Sequence, residues 1–196
     1  MNIQCCAISE FTDPRTEITY TSDYYLLNGV GACTNFSGLS IRDLSSRSAR
    51  IFGNDHRVRW CFDLPVVEGQ DYLVRSTFLN GPFLRSMRGT MFNMSIGATS
   101  ISLINSSLDS EAVEGVFAAT GNHTNICILK GNGNAYISKV ELRPINDSIY
   151  LNGSSSSILK LISRVDLGNK DFTFRYLYNL LHFSFQSSIF LFPVRY

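Results

Sequence analysis

YISKVELRP, residues Tyr136 to Pro144, sets the reading of the whole chain. Tyr136, Ser138, Val140 and Leu142 point one way, and Ile137, Lys139, Glu141 and Arg143 the other, the period-2 signature of a β-strand. Pro144 ends the run, because proline has no N–H for a continuing ladder. The same alternation appears in MFNMSIG, Met91 to Gly97, where Phe92, Met94 and Ile96 share one face while Asn93 and Ser95 share the other. DYLVRSTFL, Asp71 to Leu79, is rich in aromatic and β-branched residues and closes on the turn signal Asn80-Gly81-Pro82. NICILK, Asn125 to Lys130, is a short apolar run that ends in the glycine-rich turn Gly131-Asn132-Gly133-Asn134.

No helical stripe of comparable strength occurs before residue 150. Short strands separated by turn residues predict an all-β, antiparallel sandwich of jelly-roll type over residues 3–146. Phe92, Met94, Ile96, Tyr136, Val140 and Leu142 are expected on its inward faces. Residues 147–157, with the run NGSSSS, read as a flexible linker. Ile158 to Asp166 opens a new apolar pattern, so residues 158–176 are expected to start a second, similar unit. Residues 177–196 form an atypical hydrophobic tail. Its stretch Leu177 to Val194 is broken by Asn179, His182, Ser184, Gln186, Ser187 and Ser188, which makes it a poor spanning helix.

Composition narrows the function classes. At 196 residues, with 44% hydrophobic and 17% charged residues, the chain can bury a sizeable core. Its formal net charge of +1 gives no whole-chain attraction to nucleic acid or anionic membrane. The local cluster Arg42, Arg47, Arg50, Arg57 and Arg59 reads as a solvated loop and strand face without the interleaved aromatics of a stacking platform.

Catalytic patterns are absent. There is no G-x-S-x-G elbow, phosphate-binding loop, kinase glycine loop or dinucleotide fingerprint. Asp109, Glu111 and Glu114 are carboxylates of the type that serves glycoside hydrolysis, but read as a solvated loop face. The three histidines, His56, His123 and His182, are scattered, and the five cysteines, Cys5, Cys6, Cys33, Cys61 and Cys127, contain no C-x-x-C pair. Neither a metal, a cofactor nor an enzymatic activity is expected.

The N-x-[ST] glycan-acceptor pattern occurs at Asn35, Asn93, Asn105, Asn122, Asn146 and Asn152, more often than chance and in favour of the secretory route. Met1 leads into Asn-Ile-Gln-Cys-Cys without the basic and apolar regions of a signal peptide. Either the protein is cytosolic or a coding segment upstream of Met1 is missing.

Several segments, taken together and in order, resemble the malectin-like domain of plant leucine-rich-repeat receptor kinases. The first is Ile3 to Ala7 followed by Phe11 to Thr16 and Tyr20 to Asp23, similar to that family's first strand and its Thr-Asp turn. Trp60 to Pro65 and Tyr72 to Phe78 look like its central strands, and Asn125 to Leu129 with Ile137 to Pro144 like its closing strands. The doubled Cys5-Cys6, Glu114 to Phe117 and Leu159 to Arg164 are closest to the symbiosis receptor-like kinase branch. The resemblance covers residues 3 to about 176 and breaks off at Leu177, where a Pro-Asp-Asp stretch would follow Phe174-Arg175-Tyr176. That break, and the start without a signal peptide, are what an N-terminal fragment from an incomplete gene model would show.

The resemblance implies two tandem β-sandwiches, secreted, followed by leucine-rich repeats, a membrane helix and a cytoplasmic kinase. This chain would hold the first sandwich and the threshold of the second, on the extracellular face of the plasma membrane and attached to it only through a parent receptor. A non-catalytic binding module is implied, with a carbohydrate, a peptide or a co-receptor protein as partner. A stand-alone malectin-like lectin without a kinase is the alternative. Sugar pockets of this type use aromatic rings to stack on a pyranose and carboxylates to bond its hydroxyls, and Tyr20, Asp23, Tyr24 and Tyr25 supply those types. The same tyrosines would equally serve as packing at a sandwich edge, and the fold alone does not license a carbohydrate ligand. Cys61 and Cys127, each inside a family-like strand, are the candidate disulfide; Cys33 with Cys61, or either of Cys5 and Cys6 with Cys33, are the alternatives.

Overall fold

A computed structural model describes residues 1–14, 16–35, 48–53, 56–79, 89–106, 110–145, 151, 158–166 and 187–193. Their chain order is β1 (Asn2–Gln4), β2 (Phe11–Thr12), β3 (Thr19–Ser22), α1 (Tyr24–Leu27), β4 (Ala32–Asn35), β5 (Ser48–Phe52), β6 (Arg59–Pro65) and β7 (Asp71–Leu79). There follow β8 (Met91–Ile96), β9 (Thr99–Asn105), β10 (Ser110–Ala118), β11 (His123–Asn132), β12 (Ala135–Ile137), β13 (Lys139–Ile145), β14 (Ile158–Asp166) and β15 (Ser187–Pro193). An eight-stranded sheet runs β15-β14-β10-β7-β13-β1-β3-β2, a four-stranded sheet β6-β11-β8-β9, and a three-stranded sheet β12-β5-β4. Pairing is antiparallel except between β1 and β3, which are parallel.

The two larger sheets close on one core. Val74 and Phe78 of β7, Val113 and Phe117 of β10, and Val140 and Leu142 of β13 join Phe62, Phe92, Met94, Ile96, Ile126 and Ile128 of the four-stranded sheet. Phe78, Phe92 and Tyr136 meet edge to face, with Phe92 and Tyr136 centroids 5.3 Å apart. All six residues expected to face inward are buried.

The run that opened the sequence reading holds a corner the alternation did not reveal. At Ser138 the chain leaves the three-stranded sheet for the eight-stranded one: Ser138 donates its N–H to the Thr77 carbonyl and accepts from the Cys5 N–H, each at 2.9 Å. Both faces of β13 are buried from Lys139 to Leu142, and β13 lies between β7 and β1 in the sheet. Its polar face closes on itself. Glu141 accepts from Tyr20 Oη at 2.9 Å and from Arg143 at 2.7 Å, and Lys139 lies 3.7 Å from Glu141 and over the Tyr20 ring. Ser95, expected outward beside Asn93, is also buried, next to an irregularity in the β8–β9 register between Met94 and Ser95.

Gly131 marks a second irregularity, where the β11–β8 register shifts between Leu129 and Asn132. A Cβ there would sit 2.0 Å from the Met91 carbonyl oxygen, so only glycine lets the two backbones approach.

Residues 158–166, expected to open a second unit, form β14, which joins the large sheet. Val116 pairs with Leu159 and Phe117 with Ile158, covering an edge of β10 that would otherwise present unpaired N–H and C=O groups. β15, from the hydrophobic tail, pairs in turn with β14. Residues 147–150 and 152–157 of the expected linker, and residues 167–186 and 194–196, lie outside the described residues.

Candidate functional site

The four residues expected to meet a ligand separate into two pairs. Tyr20 and Asp23 are fully buried. Tyr20 belongs to the network around Glu141 and stacks on Phe11 with ring centroids 5.6 Å apart. Asp23 receives Arg50 Nε at 2.5 Å and Nη2 at 2.8 Å, and the Cys6 N–H at 2.9 Å. Neither side chain reaches the surface, so of the four only Tyr24 and Tyr25 meet solvent. These are 59% and 86% exposed and lie edge to face, 5.4 Å apart.

Local sequence explains the division. Asp23 occupies the N-cap position of α1, yet its side chain makes no capping bond, because Arg50 and Cys6 take the carboxylate. Its carbonyl still receives the Leu26 and Leu27 N–H groups at 3.1 Å. Asn28 ends the helix in the left-handed conformation, φ 49°, and Gly29 follows at φ 70°, the usual termination chemistry. Arg50 also donates Nη1 to the Val30 carbonyl at 2.9 Å. One guanidinium therefore spans both ends of α1, and a single helical turn that would fray in isolation is fixed. The fork raises the Arg50 pKa above its ordinary range, chiefly through the hydrogen bond to Asp23, so the cation persists at any physiological pH.

Two disulfides brace the region. Cys6–Cys33 joins the segment after β1 to β4, and Cys33 is paired with Arg50 in the β4–β5 register. Cys61–Cys127 crosses β6 and β11, where the two residues are directly opposed. Closing 66 residues of sequence, it contributes about 4 kcal/mol by the chain-entropy account. Arg59 lies over this bond, with Nε and Nη2 each 3.2 Å from one of the sulfurs. Cys5 stays a free, buried thiol, its pKa pushed well up by burial and by Asp23.

Between α1 and β6 lies a cavity of about 230 Å³, lined by Leu26, Leu27, Val30, Trp60, Cys61 and the two arginines Arg57 and Arg59, with Asn28 completing it. Trp60 is held by stacking on Phe52 at 4.8 Å. Pockets that enclose a small ligand usually run from about 300 to 1,000 Å³. This one suits a single anchoring side chain of a larger partner. Arg57, Arg59, Trp60 and Cys61 were marked in the sequence for other reasons; Leu26, Leu27, Asn28 and Val30 were not, although Asn28-Gly29 after an apolar pair was a legible helix-end signal.

The remaining predicted positions are dispersed. Arg50 is buried, which corrects its reading as part of a solvated arginine face; Arg57 and Arg59 are exposed, and Arg42 and Arg47 lie outside the described residues. Asn35, Asn105 and Asn122 are exposed and Asn93 half-buried, while Asn146 and Asn152 lie outside the described residues. Glu114 bonds Arg75 at 3.0 Å. Among the described residues, no cluster of His, Cys, Asp or Glu could hold a metal ion, and no helix is long and apolar enough to cross a membrane.

Residues 3–182 match the family model for the malectin-like domain. The chain belongs to the malectin-like domain family. Among curated relatives, it is 39% identical over 167 residues to the Nodulation receptor kinase of Pisum sativum, a match covering 85% of this chain and 17% of that protein. The malectin-like chain thus spans under a fifth of that relative's length. Among solved structures it resembles the ANX2 ectodomain from Arabidopsis thaliana, at TM-score 0.69 and 14% identity over 85% of this chain and 48% of that one. The structure of the plant peptide RALF23 in complex with FER and LLG2 is similar at TM-score 0.65 and 16% identity, covering 85% and 48%. At these identities the two structures establish a shared fold.

Proposed function

We propose that this malectin-like domain is a non-catalytic recognition module from the extracellular part of a plant receptor kinase, and that it binds a peptide or a co-receptor protein. The observation that carries the reading is the fixed α1 turn. Arg50 and the Cys6–Cys33 bond hold it while Tyr24 and Tyr25 project into solvent. Exposed aromatics on a rigid element are what an interface needs, because little conformational freedom is lost on binding. The side-chain-sized cavity on the same helix supports a protein or peptide partner over an enclosed small molecule. A structure of the same fold in complex with a plant peptide and a second protein supports the same class of partner. The extracellular setting draws support from the receptor-kinase relative and from the two disulfides, which persist in oxidising compartments.

The lectin alternative keeps one supporting observation, the exposed Tyr24–Tyr25 pair, since such rings can stack on a sugar. It loses Asp23 as a hydroxyl-bonding carboxylate, because Arg50 occupies it. An oligosaccharide array and a parallel screen of secreted plant peptides and co-receptor ectodomains separate the two. The proposal expects saturable binding in the peptide or protein screen, lost in the Y24A/Y25A variant. Array binding with an inert protein screen would favour the lectin.

A further inference from the structure

The four-stranded sheet has two unlike edges. At one lies β6, beside α1 and its cavity; at the other lies β9. In the β8–β9 register Met91 opposes Asn105, and Asn93 opposes Leu103. Opposed residues in such a pair stand about 5 Å apart, so these four side chains form a small square with apolar and amide corners alternating. Met91 is 39% exposed and Leu103 51%, which makes them an apolar surface on and beside an edge strand. Exposed apolar edge strands invite pairing with another chain, and folded proteins usually blunt them. Neither residue carries a charge. Both amide corners, however, begin a glycan-acceptor triplet, Asn93-Met94-Ser95 and Asn105-Ser106-Ser107.

We infer that N-linked glycans on Asn93 and Asn105 cover Met91 and Leu103 and close the β9 edge, leaving the β6–α1 edge of the same sheet open to partners. The transfer joins Asn Nδ2 to C1 of an oligosaccharide carried on a lipid diphosphate: the C1–O bond to the diphosphate breaks, and one amide proton is lost. At Asn93 it precedes folding, because the Ser95 hydroxyl of the triplet is buried in the folded domain and donates to the Gly97 carbonyl at 3.3 Å. Two hydrophilic branched chains rooted at opposite corners overhang both apolar side chains. Asn35 and Asn122, also exposed, stand outside the square and have no part in this shield.

The inference rests on the extracellular reading, but its test imposes secretion and so does not depend on the native compartment. The whole chain is secreted from insect or plant cells. Glycopeptide mass spectrometry then reads occupancy, and light scattering coupled to gel filtration reads molar mass. Both asparagines should be occupied and the glycoprotein monomeric. The N93Q/N105Q variant should associate with increasing concentration, at least doubling its apparent mass, and adding M91S and L103S should restore the monomer. If N93Q/N105Q is not secreted, the folded wild-type glycoprotein trimmed by an endoglycosidase takes its place and should associate likewise. An unoccupied Asn93 or Asn105, or a monomer that persists without the sugars, overturns the inference. Ligand binding at α1 is not read in this experiment, so its outcome leaves the proposed function separately testable.

Discussion

Asp23 and Arg50 hold each other in a two-point fork, Nε on one carboxylate oxygen and Nη2 on the other, with both side chains buried. The fork ties α1 to β5 and leaves the two tyrosines after Asp23 as the part of the segment that meets solvent. Removing one member leaves the other as an uncompensated buried charge, which costs about 3–5 kcal/mol. Asp23→Ala should lower the free energy of unfolding by that amount in urea titrations. The D23A/R50M double variant should regain part of it, because the orphaned charge is gone.

Tyr20 is assigned to the framework. Tyr20→Phe keeps the ring on Phe11 and removes only the hydroxyl bonded to Glu141. A loss of about 1–3 kcal/mol is expected in the same titration, with partner affinity unchanged. A variant of full stability and impaired binding would return Tyr20 to the ligand face.

Gly131→Ala tests the close approach of β11 to β8. The added methyl meets backbone at Met91, which has no rotamer to yield. Destabilisation by more than about 1–3 kcal/mol, the range for forcing extra groups into a packed site, is expected in thermal unfolding.

Cys5 gives a thiol count and a pH dependence. Five cysteines less the four in two disulfides leave one thiol. It should resist a thiol reagent in the native state and react once per chain in denaturant. Burial raises its folded pKa above the ordinary 9.0, so the unfolded chain loses this proton first. The Cys5 contribution to stability is therefore complete below pH 9 and declines as pH rises beyond it. Cys5→Ala should flatten that decline.

Legibility in the sequence followed how local the signal was. The strands around Phe92–Ile96 and Val140–Leu142 were readable because their apolar and polar residues alternate with a period of two. The sheet change at Ser138 was not, since a corner need not interrupt alternation. Burial of the Lys139 and Glu141 face was not legible either, because burial of a charged pair depends on the partners Tyr20 and Arg143 brought from elsewhere in the chain or the strand. The burial of Tyr20 and Asp23 was hidden for the same reason. Residue type marked Tyr20 and Asp23 as suitable, but their partners Glu141 and Arg50 lie 121 and 27 residues away. Joining of β14 to the large sheet was hidden because an apolar strand does not announce which edge it will cover.

The central claim is that the edge bearing Tyr24 and Tyr25 meets a peptide or protein partner outside the cell. Photocross-linking tests it most directly: benzoylphenylalanine replaces Tyr25 in the secreted domain, which is irradiated in the presence of plant secreted peptides and co-receptor ectodomains. The same probe at Val67, exposed on the turn after β6, is the control. The account predicts a discrete peptide or protein adduct at position 25, competed by unlabelled domain and absent at position 67. Equal labelling at both positions, or no adduct at position 25, would contradict it.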